Sequence, residues 1–179
     1  MLTAEQKEQL NTIISDSLDS AETHWGNGGY LLQKSAQDGK MLESFNSSVE
    51  SYIPGHEFVN ENVTTIDEFI ALVLDMRDSS KHLMSHISAK VTPITMLQRV
   101  YYETSALLPA MAFIISCESG SVTEYLGDGV LALFRVNNKS PEDSIYASHR
   151  AAKQCLTTGL TAVNEALKHR YSLPPIQIG

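Results

Sequence analysis

The chain has 179 residues, enough for one core-bearing domain and an appendage. Thirteen basic against 21 acidic residues give a net charge of -8, which argues against a nucleic-acid binder that works by neutralising a phosphate backbone. The two cysteines, Cys117 and Cys155, form no Cys-x-x-Cys pair, which argues against a disulfide scaffold or structural zinc and for a reducing, cytoplasmic setting.

The start of the chain lacks the basic and apolar pattern of a signal peptide, and no apolar run is read as a membrane span. Thr3 with Glu5 and Gln6 marks a helix start, and Leu10, Ile13, Ile14 and Leu18 recur at helical spacing, so residues 3 to 19 are expected to form an amphipathic helix. The stretch from Asp19 to Val63 is polar, broken by Asn27, Gly28 and Gly29 and by Pro54-Gly55. Met41, Leu42, Phe45, Val49 and Tyr52 suggest one further short helix within it. Residues 1–64 are therefore expected to be an N-terminal helical arm and polar linker, loosely covering a core edge, with Trp25 and Tyr30 as its anchors. A dimerisation arm or a lid is the sharper alternative.

The periodicity becomes orderly from Thr65. Phe69 to Leu74 is a continuous apolar run, as expected of a strand buried on both faces, and it ends at Asp75. Ser79 or Ser80 then caps a short helix carrying Leu83, Met84 and Ile87. Pro93 opens a longer helix with Leu97, Val100, Tyr101, Thr104, Leu108, Met111 and Ile115 as its stripe and Pro109 as a kink. Ser121–Leu126 and Gly129–Phe134 read as strands joined by a tight turn at Gly127-Asp128. Ser140-Pro141-Glu142-Asp143 is a strong helix start, followed by Ile145, Ala152, Leu156, Leu160, Val163 and Leu167, with Cys155 buried beside them. Pro174-Pro175 precedes a last strand at Ile176. This order is β-α-β-β-α-β, the split arrangement of ferredoxin-like α+β folds, and it brings Asp75 and Asp128 to one rim. Two carboxylates so placed repel unless a hard divalent cation lies between them.

With those motifs in place, residues 65–179 resemble the N-terminal two-thirds of the catalytic domain of class III nucleotidyl cyclases. The resemblance rests on the strand ending in Asp75, the loop after it, Glu124-Tyr-Leu-Gly127-Asp128-Gly129 and the helix after Pro141. It implies a class III cyclase α+β core in which Asp75 and Asp128, with the backbone carbonyl of Met76, bind two divalent cations, Mg²⁺ or Mn²⁺. The substrate is then a nucleoside triphosphate, cyclised to a 3′,5′-cyclic nucleotide with release of pyrophosphate. Arg77, Asp78, Ser79 and Ser80 would face the β- and γ-phosphates, and Glu124 would contact the base.

The family's Gly-Phe-Thr after the first aspartate is replaced by Asp78-Ser79-Ser80, with Arg77 before it. The Asp-Met-Arg loop and Glu124 are closest in character to bacterial antiphage cyclases of the Pycsar type, which make cyclic CMP or cyclic UMP, although Glu124 also suits GTP. The resemblance further implies a homodimer with composite sites, and neither nucleic acid nor membrane as partner. The family's later catalytic asparagine and arginine have no counterpart up to Gly179, so a longer natural chain is expected, a degenerate cyclase being the alternative.

Each feature also has a plain structural reading. Gly-Asp is common turn chemistry, Asp75 alone could be a helix cap or phospho-acceptor, and His82 and His86, four apart, read as exposed surface histidines. A diguanylate-cyclase-like enzyme is disfavoured because no acid and phenylalanine follow Asp128. A non-catalytic cyclase-homology regulatory module remains open.

Overall fold

The structure, a computed structural model, describes residues 1–26, 48–60, 65–85, 92, 94–137 and 139–179. Asn27, Gly28, Gly29, Tyr30, Met41, Leu42, Phe45, His86, Ile87 and Pro93, singled out above, lie outside the described residues. The fold is mixed α+β. Helix α1 spans Ala4–Gly26, strands β1 Ser48–Ile53 and β2 His56–Asn60, strand β3 Phe69–Leu74, and helix α2 Ser79–Met84. Helix α3 spans Met96–Cys117, strands β4 Ser121–Tyr125 and β5 Val130–Arg135, and helices α4 Pro141–Gln154 and α5 Leu160–Tyr171.

Reciprocal side-chain-to-backbone bonds open both α1 and α3. Thr3 and Gln6 satisfy each other's amides, as do Thr95 and Gln98, so two donors are paired at each helix start. α1 runs seven residues beyond the expected end at residue 19 and places Trp25 against Tyr101 and Tyr102. Leu10, Ile14 and Leu18 are at most 1 % exposed, so this helix belongs to the core rather than lying loosely over it. Arg170 at the end of α5 reaches Asp19 at 2.5 Å and Ser15 at 2.8 Å, while Tyr171 bonds Glu22 and stacks on Tyr102. Burial and the Glu22 carboxylate push the Tyr171 hydroxyl well above its ordinary range.

The second expected helix of the linker is not there at Val49 and Tyr52, which belong to strand β1. β1 and β2 form an antiparallel hairpin with Ile53 opposite His56, turned by Pro54 and by Gly55 at φ 79°. A proline that fixes φ followed by a residue at positive φ makes a turn, which ends any helix that Tyr52 could extend. The hairpin seats on the main sheet through Asp67. His56 and Arg135 reach its carboxylate at 2.8 and 2.7 Å, and the His56 ring lies edge-on to Phe69.

The main sheet has strand order β3-β5-β4, all antiparallel. A short C-terminal segment adds to the free edge of β3. Asp75 and Gly179 exchange both backbone hydrogen bonds at 3.0 and 2.9 Å, and Arg77 donates to Gln177 at 2.8 Å. Asn164 on α5 brackets Ile176 with two further bonds and so fixes where this segment docks.

Leu74, Val130, Ala132 and Phe134 face inward onto α3 and α4, and α1 packs on the far side of α3. β3 is covered on one face only: Ala71 and Val73 are exposed, the latter by 54 %. A continuous apolar run therefore does not mean two-sided burial here, because helices lie on one side of the sheet among the described elements. α3 runs unbroken through Pro109, and its length and apolar composition would suffice to cross a membrane. Within this fold it is the central helix, with Ala106, Leu107, Met111, Ile114 and Ile115 buried.

The face of α4 and α5 that packs inward is built from small residues: Ser144, Ser148, Ala151, Cys155 and Gly159, followed by Val163 and Leu167. Ile145 and Leu156, expected in that stripe, point out at 54 and 45 % exposure. Four successive four-residue steps from Ala151 to Leu167 would drift off a straight helix by about 40° each. A π-helical turn at Cys155–Gly159 takes up the extra residue and keeps the stripe on one face. Cys155 is buried as expected, and burial pushes its thiol up to about 12.

His56, the Glu68 amide and Arg135 all favour the charged form of Asp67 and hold its carboxyl below the ordinary 3.8. A lowered folded-state value stabilises the fold above pH 3.8, and the contribution is lost only as pH falls through the lowered value. The Asp67 side-chain carboxyl carbon resonance is therefore expected to titrate with its midpoint below 3.8, and Asp67→Asn should displace the amide resonances of His56–Asn60 at neutral pH.

Candidate functional site

The β3–β5 ladder runs in register from Phe69 opposite Arg135 to Leu74 opposite Val130. One step further sets Asp75 opposite Gly129, with Met76 opposite Asp128, so the turn between β4 and β5 closes over the end of β3. The turn is held by a bond from the Leu126 amide to the Gly129 carbonyl at 2.9 Å and uses Gly127 at φ 87°, a conformation that a side chain disfavours. At Gly129 the two backbones come into contact. A Cβ there would lie 2.5 Å from the Leu74 carbonyl oxygen and 2.8 Å from Asp75 Oδ1. The glycine is needed for this close approach, which seats the turn carrying Asp128 against the Asp75 backbone.

Asp75 is exposed on the open face of the sheet, whereas Asp128 is half-buried. Asp128 Oδ2 is buried without a hydrogen-bond donor. An unpaired buried acceptor costs about 1–3 kcal/mol and more for a charged group, and a divalent cation shared with Asp75 would remove that cost. The Met76 backbone fits the same purpose. Its neighbours Asp75 and Arg77 spend their amides on Gly179 and Gln177, and Met76 itself pairs with Ile178 without ladder bonds. In antiparallel geometry its carbonyl then points away from that segment, toward the Asp128 side. Among the described residues no cluster of three or more His, Cys, Asp or Glu side chains forms a closed metal cage. The donor set is an open one, of the kind magnesium completes with water and phosphate oxygens.

The remaining expected residues lie around this pair. Arg77 is exposed, its side chain runs along Gly179, and its amide is already bonded to Gln177. Asp78, at φ 52°, is the N-cap of α2 in place of Ser79 or Ser80, and its side chain makes no cap bond. Ser79 and Ser80 form the first turn of α2, whose amides have no intrahelical partner by construction. Glu124 is exposed on β4 opposite Leu131, which pairs with Val73 on β3. Two strand spacings and a two-residue offset separate it from Asp75 by about 12 Å.

One part of the neighbourhood is not apparent from the hydrophobic pattern. His82, read as a surface histidine, is 17 % exposed in its side chain and bonds Glu103 at 2.9 Å; Glu103 is fully buried and paired with Arg99 at 3.0 Å. The i, i+4 spacing of Arg99 and Glu103 was the available signal, but a stripe drawn through apolar residues alone puts both outside.

No family model and no curated protein matches the sequence. Among solved structures the fold is distantly similar to the crystal structure of the guanylyl cyclase Cya2, with a TM-score of 0.48 and 19 % identity over 63 % of this chain and 53 % of that one. The chain spans about half the length of that protein's chain.

Gly129→Ala forces backbone against backbone, and is expected to destabilise the fold by about 1–3 kcal/mol in urea titrations. It should also weaken Mn²⁺ binding, because the Asp128 turn must move off Asp75. Equal Mn²⁺ affinity in the variant and the parent would disconnect the close approach from metal binding.

Proposed function

We propose that this chain is a nucleotidyl cyclase domain of class III type, with a ferredoxin-like core running from β3 to Ile178, acting on a nucleoside triphosphate. The observation that carries the reading is the contact of Gly129, the neighbour of Asp128, with Asp75, together with one Asp128 oxygen that is buried without a hydrogen-bond partner. Asp75, Asp128 and the Met76 carbonyl would hold Mg²⁺ or Mn²⁺, which supply acidity to the ribose 3′-hydroxyl and neutralise the triphosphate. Ser79 and Ser80 offer amides to the outer phosphates, and Asp78 shapes their approach. Arg77 is the nearest cation by sequence and is exposed, so a rotamer change off Gly179 would bring its charge to the same phosphates.

The interval of about 12 Å from Asp75 to Glu124 suits an extended nucleotide, with phosphates at the first and base at the second. A carboxylate accepts hydrogen bonds from ring N–H and exocyclic amines. Guanine offers both on one edge, which favours GTP on donor count. Uracil, cytosine and adenine each offer one such group, so UTP, CTP and ATP form the second reading. The open sheet face at Ala71, Val73, Leu131 and Leu133 would be covered by a second copy, completing two composite sites.

Incubation with each of the four nucleoside triphosphates and Mn²⁺, with chromatography of the products, is expected to yield a 3′,5′-cyclic nucleotide from at least one. Asp75→Asn and Asp128→Asn should each lower the rate about a hundredfold or more at unchanged thermal stability. No cyclic product from any triphosphate would move the chain to a non-catalytic module of the same fold. Glu124→Lys is expected to change the ranking of the four substrates, and an unchanged ranking would assign base selection to other residues.

A further inference from the structure

Helix α2 has six residues, Ser79–Met84, too few to be stable by themselves in water. Its described apolar side chain, Met84, is 75 % exposed. What ties it to the core is a polar network with α3. Arg99 donates from Nε to Glu103 Oε1 at 3.0 Å, from Nη1 to the Ser85 carbonyl at 3.1 Å and from Nη2 to His82 Nδ1 at 2.9 Å. His82 Nε2 lies 2.9 and 3.0 Å from the two Glu103 oxygens. Arg99 Nη2 also lies against His82 Nε2, so both ring nitrogens meet the guanidinium and Nε2 meets Glu103 as well, and His82 joins the network in either tautomer. Arg99 is 2 % and Glu103 0 % exposed, so these charges are withdrawn from water and strongly held. The network grips α2 at its middle and at its C-terminal cap, while Met76, 4 % exposed and bridged to Ile178, fixes the chain just before it. Only Arg77 and Asp78 lie between that bridge and the helix.

We propose that Glu103, acting through Arg99 and His82, is a positioning residue for α2 and its first-turn amides, and so for the phosphate side of the Asp75–Asp128 site. The phosphate ligand rests on the cyclase reading; the placement of α2 does not. Removing Glu103 alone would leave a buried guanidinium unpaired, whereas replacing the pair by apolar residues of similar size removes the network and keeps the core filled.

The test uses the double variant Arg99→Met/Glu103→Leu, together with His82→Leu and His82→Gln. Amide hydrogen exchange of Ser80–Ser85 should accelerate about tenfold in the double variant and in His82→Leu, with Ala106–Ile115 unchanged. His82→Gln, which keeps a donor and an acceptor, should recover part of the protection. With Mn²⁺ and the accepted triphosphate, KM should rise about tenfold while kcat changes far less. Unchanged α2 exchange overturns the proposal, as does faster exchange at an unchanged KM. Should the double variant not fold, His82→Leu at its partly exposed position carries both measurements. If the parent protein makes no cyclic nucleotide, the cyclase reading has failed, and the exchange comparison alone decides whether the network places α2.

Discussion

Everything around the candidate site depends on a backbone contact that only glycine permits. The β3–β5 ladder keeps its register to Leu74 and Val130, and the turn at Gly127–Gly129 then folds directly against Asp75. Carboxylates would be held apart by their charge if loops carried them. Here each is attached to a strand end whose partner residues, Leu74 and Val130, are at most 3 % exposed. The charge repulsion of two neighbouring carboxylates would be borne by that packed core.

The core resists that load because α3 contacts most other helices and the sheet. Its inward positions close to β4 and β5 are apolar, and α1 covers its opposite side with Leu10, Ile14 and Leu18. The small side chains on α4 let that helix approach the sheet closely, and the π-helical turn keeps them aligned with Val163 and Leu167 below. From the end of α5 the chain turns at Ser172 and runs back to pair with Asp75 and Arg77. The same long helical unit therefore braces the core and positions the segment that flanks the site.

Helix α3 also carries charge where its pattern suggests none. Arg99 and Glu103 occupy the inward face two turns and one turn before Ala106 and Leu107, and they are stable there because each satisfies the other and His82 completes the set. This network gives α2 an attachment that its own length could not supply, and it links the segment after Asp75 to the centre of the fold.

The sequence by itself determined the strands at Phe69, Ser121 and Val130, the long helices, the turn at Gly127-Asp128 and the two aspartates at strand ends. Each of these follows from local chemistry: apolar runs, capping residues, and glycine where φ is positive. Other features depend on what packs against what, which local chemistry cannot encode. The place where the hairpin of Val49 and Tyr52 docks is set by His56 and Arg135 meeting at Asp67, and Val73 is exposed because the helices cover one sheet face. Ile145 faces outward because the neighbouring Ser144 takes the inward position, where its hydroxyl bonds the Arg135 carbonyl and the Asn137 amide. The partial burial of His82 was decided by tertiary structure in the same way, since a polar side chain leaves water only when its partners, distant in sequence, arrive with it. The approach of the Asp128 turn to Asp75 belongs to both levels: the strand order made it plausible, and the register with Gly129 at the contact decided it.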